Sequence, residues 1–186
     1  MKPEFNEVMG AVECKLLLSW SEINILIKKI ALEIVKDFSK ESASPILVMV
    51  TNGALYFGTN LSLKLQDLNF DHQIDTIGLK RYFGDGNGGL VELLSHPKNK
   101  LGGRDIIVVE DIVDDGKTLE FLDHYLRVLE VPPKSIKYCA LLTRGEHPIV
   151  NYFGENLTIP NWVFGCGMDL GEEFRGLRNI YAKKMN

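Results

Sequence analysis

The sequence predicts an α/β fold, and three observations carry that prediction. Ile106, Ile107, Val108 and Val109 are four consecutive β-branched residues, and residues 46–50 form a second unbroken apolar run. Runs of this kind, without alternation, mark strands buried on both faces. Each run ends in a turn of small or polar residues, and apolar residues at helical spacing follow: Leu55, Phe57, Leu61 and Leu65 after the first, Leu119, Leu122, Leu126 and Leu129 after the second. The third observation is bulk, since 186 residues at 45% hydrophobic and 25% charged suit one well-buried globular domain.

Charge and cysteines exclude several classes. A formal net charge of −4 argues against nucleic-acid binding through bulk electrostatics. Cys14, Cys139 and Cys166 are odd in number and lack metal-ligand spacing, so reduced thiols in a cytoplasmic protein are expected. The longest apolar runs fall far short of a membrane span, and the N-terminus has no signal-peptide pattern.

In chain order, residues 1–18 are poorly patterned, although residues 14–18 are able to make a short edge strand. Ser19 and Glu22 form a capping box, and Ile23, Leu26, Ile27, Ile30, Ile34 and Phe38 then recur at helical spacing. Pro45 marks a break before the strand at 46–50, whose turn is Thr51-Asn52-Gly53-Ala54. Residues 75–80 read as a third strand. Arg81-Tyr82 leads into a run with Gly84, Gly86, Gly88 and Gly89, and residues 90–94 read as another strand. Gly84, Gly86 and Gly89 fit the spacing of a dinucleotide fingerprint, but a strand follows where that site needs a helix. A mobile flap is the better reading, because so many glycines carry a large ordering entropy. Pro132-Pro133 end the third helix, residues 136–142 make the next strand, and Thr143-Arg144-Gly145 lies at its carboxyl end. Residues 160–169 read as an aromatic strand interrupted by glycines. His72, His96, His124 and His147 form no ligand pattern and read as surface or turn residues.

The chemistry concentrates in residues 110–118, Glu-Asp-Ile-Val-Asp-Asp-Gly-Lys-Thr. In an open α/β sheet, ligands bind beyond the carboxyl ends of strands, where the next helix presents free amides and a positive dipole. Gly116 permits the turn, and Lys117 and Thr118 open the helix with amides and a hydroxyl that suit a phosphate. Glu110, Asp111, Asp114 and Asp115, when ionised, accept hydrogen bonds and donate none, so they suit sugar hydroxyls, a hard cation such as magnesium, or a transferable proton. A ligand with both phosphate and hydroxyls fits the combination. A nucleotide-triphosphate P-loop does not, because its first glycine falls at Asp111.

This segment resembles the phosphoribosyl-pyrophosphate (PRPP) motif of the phosphoribosyltransferases, in particular their hypoxanthine-guanine branch. The resemblance covers roughly residues 20–180 and implies a mostly parallel sheet flanked by helices, with a small hood built from the chain ends. It implies one domain over 1–186, with the core at about 20–145 and the hood at about 1–18 and 146–186. It places Glu110 and Asp111 at the ribose hydroxyls and magnesium, Asp114 as the base facing purine N7, and Asp115, Gly116, Lys117 and Thr118 around the 5′-phosphate. Thr51, Asn52 and Gly53 match the pyrophosphate loop, often with a cis first peptide, and Arg175 matches an arginine that reaches pyrophosphate. Arg81 and Tyr82 match the flap pair, Arg144 the donor to purine O6, Trp162 the stacking aromatic, and Val163 the backbone that reads the base edge. Asp169 matches an acid at a second magnesium or a base-side water.

Four positions depart from the family pattern. Asn52 replaces a usual Lys or Arg, Arg81 a Ser, Asp115 a Thr or Ser, and Arg144 a Lys. Arg81 is expected to supply charge near pyrophosphate that Asn52 lacks, and Asp115 to contribute its amide with its carboxylate turned outward. The implied reaction is magnesium-dependent transfer of ribose 5-phosphate from PRPP to a 6-oxopurine, giving IMP or GMP and pyrophosphate, by a homodimer or homotetramer. A same-fold transferase for another base such as xanthine, and a PRPP- or nucleotide-sensing regulator, are the alternatives.

Overall fold

The structure, a computed structural model, describes residues 7–38, 44–82 and 90–185. The capping box forms: Ser19 donates its backbone N–H (2.8 Å) and its hydroxyl (2.6 Å) to Glu22 Oε2. These bonds hold the Glu22 carboxyl below its ordinary range. Helix α1, Trp20–Phe38, follows and buries Ile23, Ile27, Ile30, Ile34 and Phe38 on one stripe. Each such side chain contributes about 1.5–3 kcal/mol by leaving water.

A six-stranded sheet forms the centre. Strands β3 (Ile46–Thr51), β4 (Gln73–Tyr82), β5 (Leu90–Ser95), β6 (Asp105–Val113), β7 (Ser135–Arg144) and β8 (Val150–Leu157) stand in the order β5-β4-β3-β6-β7-β8. All neighbours are parallel except the β4–β5 pair. Successive residues point to opposite faces. Leu47, Met49, Ile107 and Val109 meet α1 and α2 (Leu55–Asp67), while Ile46, Val48, Ile106 and Val108 meet α3 (Lys117–Arg127). Helices on both faces explain why the central strands read as unbroken apolar runs.

A second, four-stranded sheet pairs β1 (Glu7–Met9), β2 (Val12–Leu18), β10 (Ile180–Lys183) and β9 (Val163–Phe164) in the order β1-β2-β10-β9, antiparallel throughout. This is the hood from both chain ends. Residues 14–18 belong to β2, an interior strand of this sheet: Cys14 pairs with both β1 and β10, and the rest of the stretch pairs with β10. The hood also begins later than 146. β8 belongs to the central sheet as its parallel edge, so the core runs to about residue 157. Tyr152 and Leu157 are buried there while Asn151, Phe153 and Glu155 face solvent, a mixed edge-strand pattern too weak to read from sequence. Leu55 opens α2 half-exposed instead of packing inward. The glycine run 84–89, read as a flap, lies outside the described residues. Among the described residues no helix is long and apolar enough to cross a membrane.

Candidate active site

The carboxyl ends of β3, β4 and β6 open into a cavity of about 550 Å³ roofed by the hood. Three segments converge on Gly53. A Cβ there would lie 2.2 Å from Asp111 Oδ2, and a Cβ on Gly167 of the hood would lie 2.0 Å from the Gly53 carbonyl oxygen. Only glycine lets the turn, the acidic strand end and the hood approach so closely. The Thr51–Asn52 peptide is cis. Asn52 lines the cavity, and the Thr51 hydroxyl donates to the Ile77 carbonyl.

β6 delivers the acids. Glu110 and Asp111 are 7% and 8% exposed. Asp111 Oδ1 accepts the Ile112 N–H at 2.8 Å, and Glu110 Oε1 accepts the Asp111 N–H at 3.3 Å. Glu110 Oε2 is buried with no hydrogen-bond partner among the described residues. Burial, and then the Asp111 charge beside it, hold the Glu110 carboxyl well above its ordinary range.

The chain then turns through Asp114 and Asp115 into α3. Gly116 caps the helix at φ +77°, a left-handed conformation that favours glycine, so the first amides of α3 face the cavity, lined here by Asp115, Gly116 and Thr118. Lys117 donates its backbone N–H to Asp115 Oδ1 at 3.3 Å.

Three arginines in and beside the cavity each sit on an acid. Arg144 Nη1 meets Asp114 Oδ2 at 2.6 Å, Arg175 Nη2 meets Asp169 Oδ1 at 2.8 Å, and Arg81 Nη2 meets Asp115 Oδ2. Arg81 thus points to the α3 turn, where the sequence indicated the pyrophosphate loop. Glu110 and Asp111 face no cation among the described residues. An ion held there would satisfy the orphaned Glu110 oxygen and offset the Asp111 charge, so the acids fit a hard cation with substrate oxygens completing its shell. No group of three or more potential metal ligands shares one point among the described residues. Asp169 lies along the same cavity but spends its second oxygen on the Glu172 N–H at 2.9 Å, and Arg175 also donates to the Gly167 carbonyl at 3.0 Å.

A side chamber of about 100 Å³ is lined by Ile112, Asp114, Arg144, Trp162, Val163 and Met168, with Asp111 and Asp169 at its margin. Trp162 is 47% exposed, a surface wall rather than core, and its Nε1 donates to the Asp169 carbonyl at 2.8 Å. Arg144 is fixed by a second bond, Nη2 to the Asn161 carbonyl at 2.9 Å. Val163 pairs with Ala182 in the hood sheet. Tyr82 ends β4, and its side chain lies outside the described residues.

His147 carries a role that no local pattern signalled. Its Nε2 lies 3.0 Å from the Asp114 carbonyl and 2.8 Å from the Arg144 carbonyl, so this nitrogen is the N–H donor that clamps the ends of β6 and β7. Nδ1 packs beneath Gly116, 3.3 Å from where a Cβ would be.

Comparison with known proteins agrees with this geometry. The phosphoribosyl transferase domain model matches residues 15–170. The hypoxanthine-guanine phosphoribosyltransferase of Mycobacterium avium is 30% identical, covering 88% of this chain and 82% of its own. A hypoxanthine-guanine phosphoribosyltransferase of Bacillus anthracis superposes with a TM-score of 0.77 at 30% identity, over 93% of this chain and 100% of its own. The Trypanosoma cruzi hypoxanthine phosphoribosyl transferase superposes at 0.84 with 26% identity, over 96% of this chain and 95% of its own.

Proposed function

The chain belongs to the phosphoribosyltransferase family, in its hypoxanthine-guanine branch, and from that premise we propose that it joins hypoxanthine or guanine to PRPP with magnesium, releasing pyrophosphate. One observation carries the reading. A single cavity joins a helix-capping phosphate turn to two buried acids that lack a cation, and an adjoining chamber sets an acceptor beside a donor.

That last juxtaposition suits a 6-oxopurine. Such a base offers an N7–H donor next to an O6 acceptor. Asp114 accepts, and Arg144, held against it and against Asn161, donates. A 6-amino base would set donor against donor, which is how a polar site rejects an analogue. Trp162 would stack on the ring, the Val163 backbone would read its far edge, and Asp169 would hold a base-side water or cation.

The remaining residues divide the PRPP molecule. The amides of Asp115 to Thr118 and the α3 dipole would hold the 5′-phosphate. Glu110 and Asp111 would take the ribose hydroxyls. The Thr51-Asn52-Gly53 turn and Arg175 would hold pyrophosphate. Magnesium, when bound, would neutralise the departing pyrophosphate, and Glu110 and Asp111 would hold it. As the bond to pyrophosphate lengthens, positive charge grows on the ribose ring. The two acids at its hydroxyls stabilise that charge, and Asp114 takes the N7 proton as the new bond forms. The hood would exclude water, and Arg81 and Tyr82, at the end of β4, would act as the flap pair that the family resemblance implies. We expect a cytoplasmic homodimer or homotetramer.

Pyrophosphate release from PRPP and magnesium, measured with hypoxanthine, guanine, xanthine, adenine and uracil, tests the reading. Turnover with hypoxanthine or guanine supports it. Turnover with xanthine alone would move the specificity, and no turnover beside PRPP binding would replace the enzyme with a sensor.

A further inference from the structure

Asp115 stands in the turn proposed to receive a phosphate, where a second anion is repulsive. Its Oδ1 accepts the Lys117 amide at a long 3.3 Å, and its Oδ2 takes Arg81 Nη2 from the end of β4. Burial favours the neutral acid, but the Arg81 bond, the Lys117 amide and the two cationic charges outweigh it and leave the carboxyl below its ordinary range. Both side chains line the cavity, so a ligand meets them as a pair.

We propose that Arg81 is a charge-compensating positioning residue for the 5′-phosphate. It neutralises Asp115 and draws that carboxylate aside, leaving the turn's amides to the ligand. The inference rests on the PRPP reading. The long Lys117 bond is the one a phosphate oxygen replaces, and the Arg81 contact is the one that receives the displaced carboxylate. Arg81 therefore matters only because Asp115 is an acid. A plain structural tie between β4 and the α3 turn predicts the opposite: loss of either partner would do equal harm, and loss of both would do no less.

The experiment is calorimetric titration of PRPP with magnesium into the wild-type chain, Arg81→Ala, Asp115→Thr and the double variant, with thermal melting to verify folding. Arg81→Ala is expected to weaken PRPP by about tenfold at low salt, and by less as ionic strength rises. Asp115→Thr is expected to bind PRPP no more weakly than wild type. The double variant is expected to recover to within about threefold of wild type, a coupling of the kind double-mutant cycles detect. Wild-type affinity in Arg81→Ala, or a loss in Asp115→Thr equal to that in Arg81→Ala with no recovery in the double variant, would overturn the inference while leaving the PRPP reading intact. Failure of the wild-type chain to bind PRPP would overturn that reading and this inference with it.

Discussion

The two ends of β6 each bury an acid, and they treat it in opposite ways. Asp105 at the amino end is 2% exposed, and both its oxygens are satisfied: Oδ1 by the Ser135 hydroxyl at 2.6 Å, Oδ2 by Lys134 Nζ at 3.0 Å. Glu110 at the carboxyl end is 7% exposed, has a carboxylate neighbour instead of a cation, and leaves one oxygen without a partner. Burial of a charge costs several kcal/mol unless it is paired, so the first arrangement serves the fold and the second does not. The difference separates two kinds of buried acid that composition cannot distinguish. One holds strands together. The other has an oxygen that no described residue satisfies.

The largest expected effect breaks the carboxyl end. Glu110→Gln or Asp111→Asn is expected to lower turnover by about 10²-fold or more while leaving the melting temperature unchanged or raised, because either change relieves the crowding of two adjacent buried acids. Steady-state kinetics beside a thermal melt checks both halves. Asp114→Asn is expected to cost about 10²-fold in kcat through loss of the proton acceptor, and near-normal turnover would reject that role.

Asp105→Ala sharpens the contrast from the other end. It strips Ser135 and Lys134 of their partner and is expected to cost about 1–3 kcal/mol of stability with kcat unchanged, as read from urea unfolding. The smallest effect concerns Asp75, at the same amino-terminal side of the sheet. Burial raises its proton affinity, but the N–H groups of Asn99, Thr76 and Lys98 outweigh burial and depress its folded pKa below 3.8. A carboxyl depressed on folding contributes stability above its unfolded pKa and loses it as pH falls through the folded value. Wild type should therefore destabilise below about pH 4 more steeply than Asp75→Asn, and parallel acid-unfolding curves would contradict this.

The carboxyl end of β6 was legible in the sequence because its chemistry is local. A strand, an acidic turn, a glycine cap and a helix start must be contiguous for helix amides to face a phosphate, so Glu110 to Thr118 announce themselves. The Gly53 turn, the capping box at Ser19 and the stripe of α1 were legible for the same reason. What escaped depends on pairing across long separations. β8 is weakly patterned and β10 is short, and they become strands only beside β7 and β2. The Arg81–Asp115 pair and the His147 clamp join residues that no spacing links. The exposure of Trp162, which forms a cavity wall, was likewise unreadable from an aromatic run alone.

The most direct test of the contrast is calorimetric binding of PRPP, with and without magnesium, to wild type, Glu110→Gln and Asp105→Asn. The account predicts magnesium-dependent binding to wild type and Asp105→Asn, and a loss of about tenfold or more for Glu110→Gln. Equal binding by wild type and Glu110→Gln, or binding indifferent to magnesium, would contradict it.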